Sequence, residues 1–497
     1  MNDLEKSDPV IVAKKPTNKA GQLAAEPVER RTGAKENADR QSTPRVQDRT
    51  TVSQALERVR QVARQKKKER FTSLLHHVTP EHLQEAYYAS KHKAAPGVDG
   101  ITWKEYGEKD LELKLADLHD RIHRGAYRAQ PARRHYIPKA DGSKRPLAIT
   151  ALEDKIVQKA VANVIEAIYE QDFMGFSYGF RPKRGIHDAM DALIVGIESK
   201  KVNWVLDVDI RNFFGTVSHE WLIRFLEHRI VDRRVIRLIQ KWLKAGVLEN
   251  GQVTASQEGT GQGAVISPLL ANIYLHYVFD LWAEQWRRQE GKGDMVIVRY
   301  ADDIILGFQH GADAKRFRNA LQERLEKFAL SLHPDKTTLL EFGRYAADRR
   351  KQKGLGKPET FKFLGFTFIS GQKRTGEYAI KRKSRKDRMN VKLKKIKEVL
   401  MRNRHLPIPI LCKWLAQVVR GYFAQHAVPT NIQALATFRY HAIRHLRHAL
   451  QRRSQRDGTT WERVSKIADD YLPKPRIIHP WPSQRFVVRH PRWEPYA

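Results

Sequence analysis

The chain has 497 residues, 41% of them hydrophobic, enough to bury one large multi-lobed core or two to three domains. Its 91 Lys and Arg against 56 Asp and Glu give a formal charge of +35, which calls for a polyanionic partner, nucleic acid first. A single cysteine, Cys412, excludes a disulfide framework and a multi-cysteine zinc site, and the sequence has no run of about eighteen apolar residues to cross a membrane.

Residues 1–50 are polar, mixed in charge and free of aromatics, the composition of a disordered tail. The opening MNDLEKSDPV has no apolar stretch of the kind a signal peptide needs, so a cytoplasmic, bacterial-type protein able to sit on the nucleoid is expected. A basic helix is predicted in TVSQALERVRQVARQKKKERFTSLLHHV, with KKKER read as a solvated face ahead of an RNA contact. From about Val78 to Phe368 helical and strand patterns alternate, which predicts an α/β (α+β) body. Within it, NWVLDVDIRNFFGTV puts Asp207 and Asp209 on the same face of one strand. Farther on, DMVIVRY and IILGF read as two strands with ADD at their turn, a hairpin carrying Asp302 and Asp303. An ordinary solvated hairpin would favour Asn-Gly or Asp-Gly there. Two adjacent carboxylates between apolar runs repel each other, and a divalent cation removes that repulsion. With an aspartate from that strand they form a set of oxygen donors suited to two Mg²⁺ ions and in-line phosphoryl transfer.

After GQKRTGEYAIKRKSRKDR, read as a linker, the pattern over 372–470 is helical. Met389, Leu393, Ile396 and Leu400 share one helix face, and Leu435, Phe438, Ala442, Leu446 and Leu450 share another. Both stripes are read as core. Arg444, Arg447 and Arg452, on the opposite face of the later helix, are the candidate RNA contacts. Residues 471–497, rich in Pro and aromatics, are expected to form a short tail packed on the body.

The blocks AAPGVDGIT, YIPKADGSKRPLAITALEDKIVQKAV, SYGFRPKRGIHDAM, DVDIRNFF, GTGQGAVISPLLANIYLHYVFD, RYADD, LSLHPDKT and FKFLGFTF follow one another along the chain. In that order they resemble the group II intron-encoded reverse transcriptase/maturases. The stretch RGYFAQHAVPTNIQALATFRYHAIRHL resembles that family's thumb, or maturase X, domain. The resemblance implies a right-hand polymerase fold, with fingers and palm over 51–371 and an all-helical thumb/maturase domain over 372–470. It implies an RNA-directed DNA polymerase that is also a maturase, binding group II intron RNA to promote splicing and mobility. The implied partners are that RNA, an RNA template, a DNA primer or target and dNTPs. The implied cofactor is Mg²⁺, two ions, with Mn²⁺ as a substitute.

Carried over by position, Asp209, Asp302 and Asp303 match the catalytic, metal-binding carboxylates. Asp209 is preferred to Asp207 because it stands just before the FF element. Phe214 matches the aromatic beneath the incoming sugar that disfavours a 2′-hydroxyl. Lys139 and Arg145 match the triphosphate contacts, Gln262 the glutamine of the nucleotide pocket, and Lys336 a lysine near the leaving phosphate. Two positions depart from the pattern. FFG places Gly215 where an aspartate is common, which is expected to spare activity at some cost in local order, and Gly261 replaces a frequent proline. The cysteine pairs of the C-terminal HNH endonuclease carried by many relatives are missing, so second-strand cleavage by this polypeptide is not expected. Two other readings compete: a splicing cofactor with a vestigial polymerase site, hinted at only by Gly215, and a domesticated reverse transcriptase in defence or DNA repair.

Overall fold

The structure, a computed structural model, describes residues 44–138, 144–249, 251–254, 258–373, 375–453 and 459–489. The disordered tail expected over 1–50 therefore lies outside the described residues, except that a helix already begins at Pro44 and runs to Gln65. The KKKER run falls beyond the end of that helix. Lys67 and Arg70 donate to the carbonyls of Gln171 and Glu227, each at 3.1 Å, so part of the run tethers the first helix to the body instead of forming a solvated helix face.

Eleven strands are described, in three sheets. β1 (Ala132–Pro138) and β2 (Lys144–Ile149) form a hairpin, and β3 (Trp204–Val208) follows two long helices, Leu152–Tyr169 and Ile186–Ser199. β4 (Val247–Glu249) and β5 (Gln252–Thr254) extend the first hairpin into a sheet of order β2-β1-β4-β5. β6 (Met295–Tyr300), β7 (Asp303–Phe308) and β8 (Thr338–Glu341) join β3 in a sheet of order β6-β7-β3-β8, all neighbours antiparallel. β9 (Thr360–Phe363), β10 (Phe366–Gln372) and β11 (Tyr378–Ser384) make the third sheet. β6 and β7 are almost wholly buried, which is why MVIVRY and DIILGF read as continuous apolar runs without alternation.

The stretch read as a linker holds a strand. β11 pairs antiparallel with β10 from Tyr378–Gln372 to Ser384–Phe366. Its basic residues disguised it, because Arg382 is buried and its charge is met by Asp191 at 3.2 Å. Beyond it come four helices, Lys386–Arg402, Ile408–His426, Ile432–Gln451 and Trp461–Tyr471. They close around their own apolar core, which takes in Leu393, Ile396, Leu400, Leu435, Phe438, Ala442, Leu446 and Leu450, with Met389 packed at its edge. The helical stripes are therefore core, as expected. Cys412 is buried in the same cluster, which pushes its thiol up to about 11.

The C-terminal stretch returns to the body. The amides of Ile478 and His479 donate to the Ala427 carbonyl at 3.0 and 3.1 Å. The helix Pro482–Arg489 then packs on Ile186–Ser199, with Arg485 3.2 Å from Asp191 and Phe486 inside the larger core. Among the described residues no helix is long and apolar enough to cross a membrane.

Candidate active site

The β3–β7 register pairs Asp207 with Ile305 and Val208 with Ile304. The next residues on the two strands, Asp209 and Asp303, therefore fall opposite each other at the strand ends, on the face that also carries Asp207. Tyr300 pairs with Asp303, so only Ala301 and Asp302 make the loop of the β6–β7 hairpin. Ala301 has φ 58°, a left-handed conformation that two-residue hairpins usually give to glycine. Such a residue costs on the order of 1 kcal/mol or more and persists only where its surroundings hold it.

Those surroundings are an ion pair built beneath the tip. Arg299 is fully buried and donates to the Asp280 carboxylate at 2.7 and 2.6 Å, to Asn272 Oδ1 at 2.9 Å and to the Ala301 carbonyl at 3.1 Å. Asn272 in turn donates to the Gly179 carbonyl at 2.7 Å. Gly179 lies so close under the hairpin that a Cβ there would sit 2.4 Å from the Ala301 nitrogen. Burial alone would raise the Asp280 carboxyl, but Arg299 and His276 beside it hold it below the usual carboxylate range. Asp280 ends a π-helical turn, His276–Asp280, a distortion that aims its carboxylate back at Arg299.

Electrostatically the aspartates are crowded. Burial, with Asp303 and Asp209 nearby, raises the Asp207 carboxyl to about 7. Burial, with Asp302 and Asp209, raises Asp303 to about 6, and burial with Asp209 raises Asp302. The cations that oppose these shifts are Arg145 on both hairpin aspartates, Arg299 on Asp302 and Arg388 on Asp303. Lys336 places its Nζ 3.7 Å from Asp209 Oδ2. Among the described residues no three acidic, His or Cys side chains are already drawn together as a ligand cage. Oxygen donors of like charge with raised pKa values are nevertheless the donor set that a hard divalent cation relieves.

Beside the carboxylates stands the aromatic turn. Phe213 is buried and Phe214 half-buried, their rings meeting edge-on at 5.3 Å. The Phe214 carbonyl accepts from Thr260 N–H at 2.8 Å, and Ala148 N–H of β2 donates to the Gln262 carbonyl at 2.8 Å. The glycine-rich loop is thus bonded to the aromatic turn on one side and to the first hairpin on the other. A Cβ on Gly215 would lie 2.3 Å from the side-chain nitrogen of Asn212, an exposed side chain that can move aside, so a larger residue there would displace the Asn212 amide.

A model of the reverse transcriptase (RNA-dependent DNA polymerase) family matches residues 137–368, the stretch that contains the hairpin tip, the ion pair beneath it and the aromatic turn. Protein YkfC of Escherichia coli K12 is 35% identical over 348 residues, covering 63% of this chain and 86% of that protein. The group II intron-encoded protein LtrA of Lactococcus lactis is 37% identical over 226 residues, covering 44% of this chain and 37% of LtrA. The chain belongs to the group II intron-encoded reverse transcriptases. Its enzyme class is RNA-directed DNA polymerase. An uncharacterized 91 kDa protein in the cob intron of Schizosaccharomyces pombe is also similar, 36% identical over 225 residues, 44% of this chain and 27% of that one. The matches thus span most of YkfC and under two fifths of LtrA.

In this reverse transcriptase the fold gathers Asp209, Asp302, Asp303, Arg145 and Lys336 around one hairpin tip, with Phe214 and Gln262 in the adjoining turn and loop. Lys139 lies outside the described residues. Of the three arginines read as RNA contacts, Arg444 and Arg452 are exposed. Arg447 is half-buried, its Nε 3.4 Å from the Thr459 carbonyl and its guanidinium over Trp461 at 5.9 Å, so it joins two helices instead of facing outward. A denser exposed basic face lies on Lys386–Arg402, with Lys392, Lys394, Lys395 and Lys397, and the sequence reading passed over it. That reading also missed Arg299, Asp280 and Asn272. The available signal was Arg299 itself, the one charge inside VIVRY.

Proposed function

We propose that this chain extends a DNA primer on an RNA template with dNTPs, and that it binds group II intron RNA to promote splicing and mobility. The observation that carries the reading is the meeting of Asp209 and Asp303 at adjacent strand ends with Asp302 at the tip. Mg²⁺, or Mn²⁺ in its place, would supply Lewis acidity for the 3′-hydroxyl and neutralise the departing pyrophosphate. The chain's own residues do the rest. Asp209, Asp302 and Asp303 present the oxygen ligands, while Arg145 and Lys139 meet the triphosphate as fixed cations. Lys336, beside Asp209, is placed to give a proton to the leaving phosphate. Phe214 fills the space beneath the sugar. Replacing it with Ala is expected to raise ribonucleotide incorporation relative to deoxyribonucleotide roughly ten- to a hundredfold, read from paired primer extensions. An unchanged ratio would remove Phe214 from that role.

The raised carboxyls give the metal-free protein a defined pH response. Asp207 and Asp303 titrate higher folded than unfolded, so their contribution is favourable below about pH 4 and is lost as pH climbs through about 6 to 7. Asp303 reaches solvent at its tip, so its share is the smaller. Mg²⁺ is therefore expected to raise the melting temperature at pH 8 and scarcely at pH 5. Equal shifts at both would argue against a carboxylate site.

The RNA-binding half rests on charge and on the exposed basic helix Lys386–Arg402. Affinity for RNA should fall steeply and log-linearly with salt, because each neutralised phosphate releases counterions. A titration that stays flat from low to moderate salt would contradict it. The maturase role is tested by adding the protein to the splicing reaction of the intron RNA that carries its gene. The rival view of a vestigial polymerase, hinted at only by Gly215, predicts RNA binding without primer extension by the purified protein.

A further inference from the structure

Asp209 stands where the ladder between β3 and β8 is broken. Asp207 pairs with Thr338, and the next antiparallel bridge joins Ile210 to Leu332. Val208 and Asp209 thus face the whole of residues 333–337, more chain than can lie flat against two residues. The surplus folds outward as the turn Pro334-Asp335-Lys336, closed by the Thr337 N–H donating to the His333 carbonyl at 3.0 Å. That excursion brings Lys336 to Asp209, with Nζ 3.7 Å from Oδ2.

The excursion has a consequence for the backbone of the carboxylate residue itself. The N–H and C=O of an extended residue point to the same edge, where a ladder partner exchanges both bonds with it. Among the described residues no ladder partner on the β8 side stands opposite Asp209. Its carbonyl takes the His333 N–H at 2.8 Å, and the Arg211 N–H beyond it donates to the Ser331 carbonyl at 2.9 Å. The Asp209 N–H is met by a side chain. Thr337 Oγ1 accepts from it at 3.4 Å and donates to the Asp209 carbonyl at 3.3 Å. A hydroxyl can do both at once, as a ladder partner would. Thr337 is half-buried and adjoins Thr338, the first residue of β8, so one side chain fastens the end of the turn to the strand that carries Asp209. Lys336 itself is 60% exposed on a flexible stem, and its placement depends on the turn that bears it.

We propose that Thr337 is a positioning residue, whose hydroxyl holds the Lys336 turn against Asp209 and so sets where the lysine delivers its proton. This rests on the proton-donor reading of Lys336 given above. Thr337 acts through Lys336 and not on the reacting atoms.

The test compares Thr337→Val, which keeps the shape and removes the hydroxyl, with Thr337→Ser, which keeps the hydroxyl. Single-turnover primer extension at saturating Mg²⁺ should slow about tenfold in Thr337→Val, with KM for dNTP within about twofold of wild type. Thr337→Ser should recover most of the rate. Lys336→Ala should slow extension about a hundredfold. Added to Lys336→Ala, Thr337→Val should cost less than about twofold, because the group it places is gone. A full tenfold loss in that background, a serine variant as slow as the valine one, or wild-type speed in Thr337→Val would each overturn the proposal. Wild-type speed in Lys336→Ala would instead strike the proton-donor reading, and the proposal with it. A second readout needs no turnover. Hydrogen exchange of the backbone amides over 207–211 and 333–337 should quicken in Thr337→Val and stay as wild type in Thr337→Ser. Unchanged exchange in Thr337→Val overturns the proposal whether or not the chain polymerises.

Discussion

Changing Asp302 and Asp303 together to Ala is expected to lower primer extension on an RNA template by at least about a thousandfold, with RNA binding retained. The size follows from what the carboxylates do. Lewis-acid and charge stabilisation at such a centre contributes several kcal/mol to the transition state, and each 1.36 kcal/mol is a decade in rate. Binding should survive because the exposed lysines of Lys386–Arg402, proposed above as the RNA contacts, are left unchanged. Folding should survive as well. The aspartates repel one another, and burial raises all three of Asp207, Asp302 and Asp303, so removing two charges relieves the metal-free protein. The double variant should melt at or above the wild-type temperature at pH 8. A variant that extends primers as well as wild type would remove these residues from the chemistry.

The second large effect belongs to the ion pair beneath the hairpin. Arg299 and Asp280 are both fully buried, 2.6 Å apart at the closest approach. Asp280→Asn leaves the guanidinium unpaired in a dry interior, which costs about 3–5 kcal/mol and should be read directly in the urea midpoint. Replacing both partners with apolar residues, Arg299→Met with Asp280→Leu, should recover most of that stability. It should not recover activity, because the bond from Arg299 to the Ala301 carbonyl is gone and the left-handed turn has lost its holder. A double variant with wild-type turnover would mean that the hairpin tip needs no such support.

Much of this was legible beforehand, for physical reasons that differ from part to part. The hairpin was readable because two apolar runs closing on two acids admit few structures; alternation put Asp207 and Asp209 on one face, and only the resemblance, through the FF element, chose Asp209. The helical core was readable from periodicity alone. The strand β11 was not, because its basic residues look solvated until Asp191 is brought to Arg382 from far away in the chain. The same long-range pairing hid Arg299, whose partner Asp280 is set by tertiary packing.

The account stands most directly on whether the unaltered protein makes DNA. Single-turnover extension of a DNA primer on an RNA template, with dNTPs and Mg²⁺, should yield full-length product that disappears with chelator. If the purified protein binds intron RNA and stimulates splicing but adds no nucleotide under any Mg²⁺ or Mn²⁺ concentration, the polymerase reading of the three aspartates is wrong.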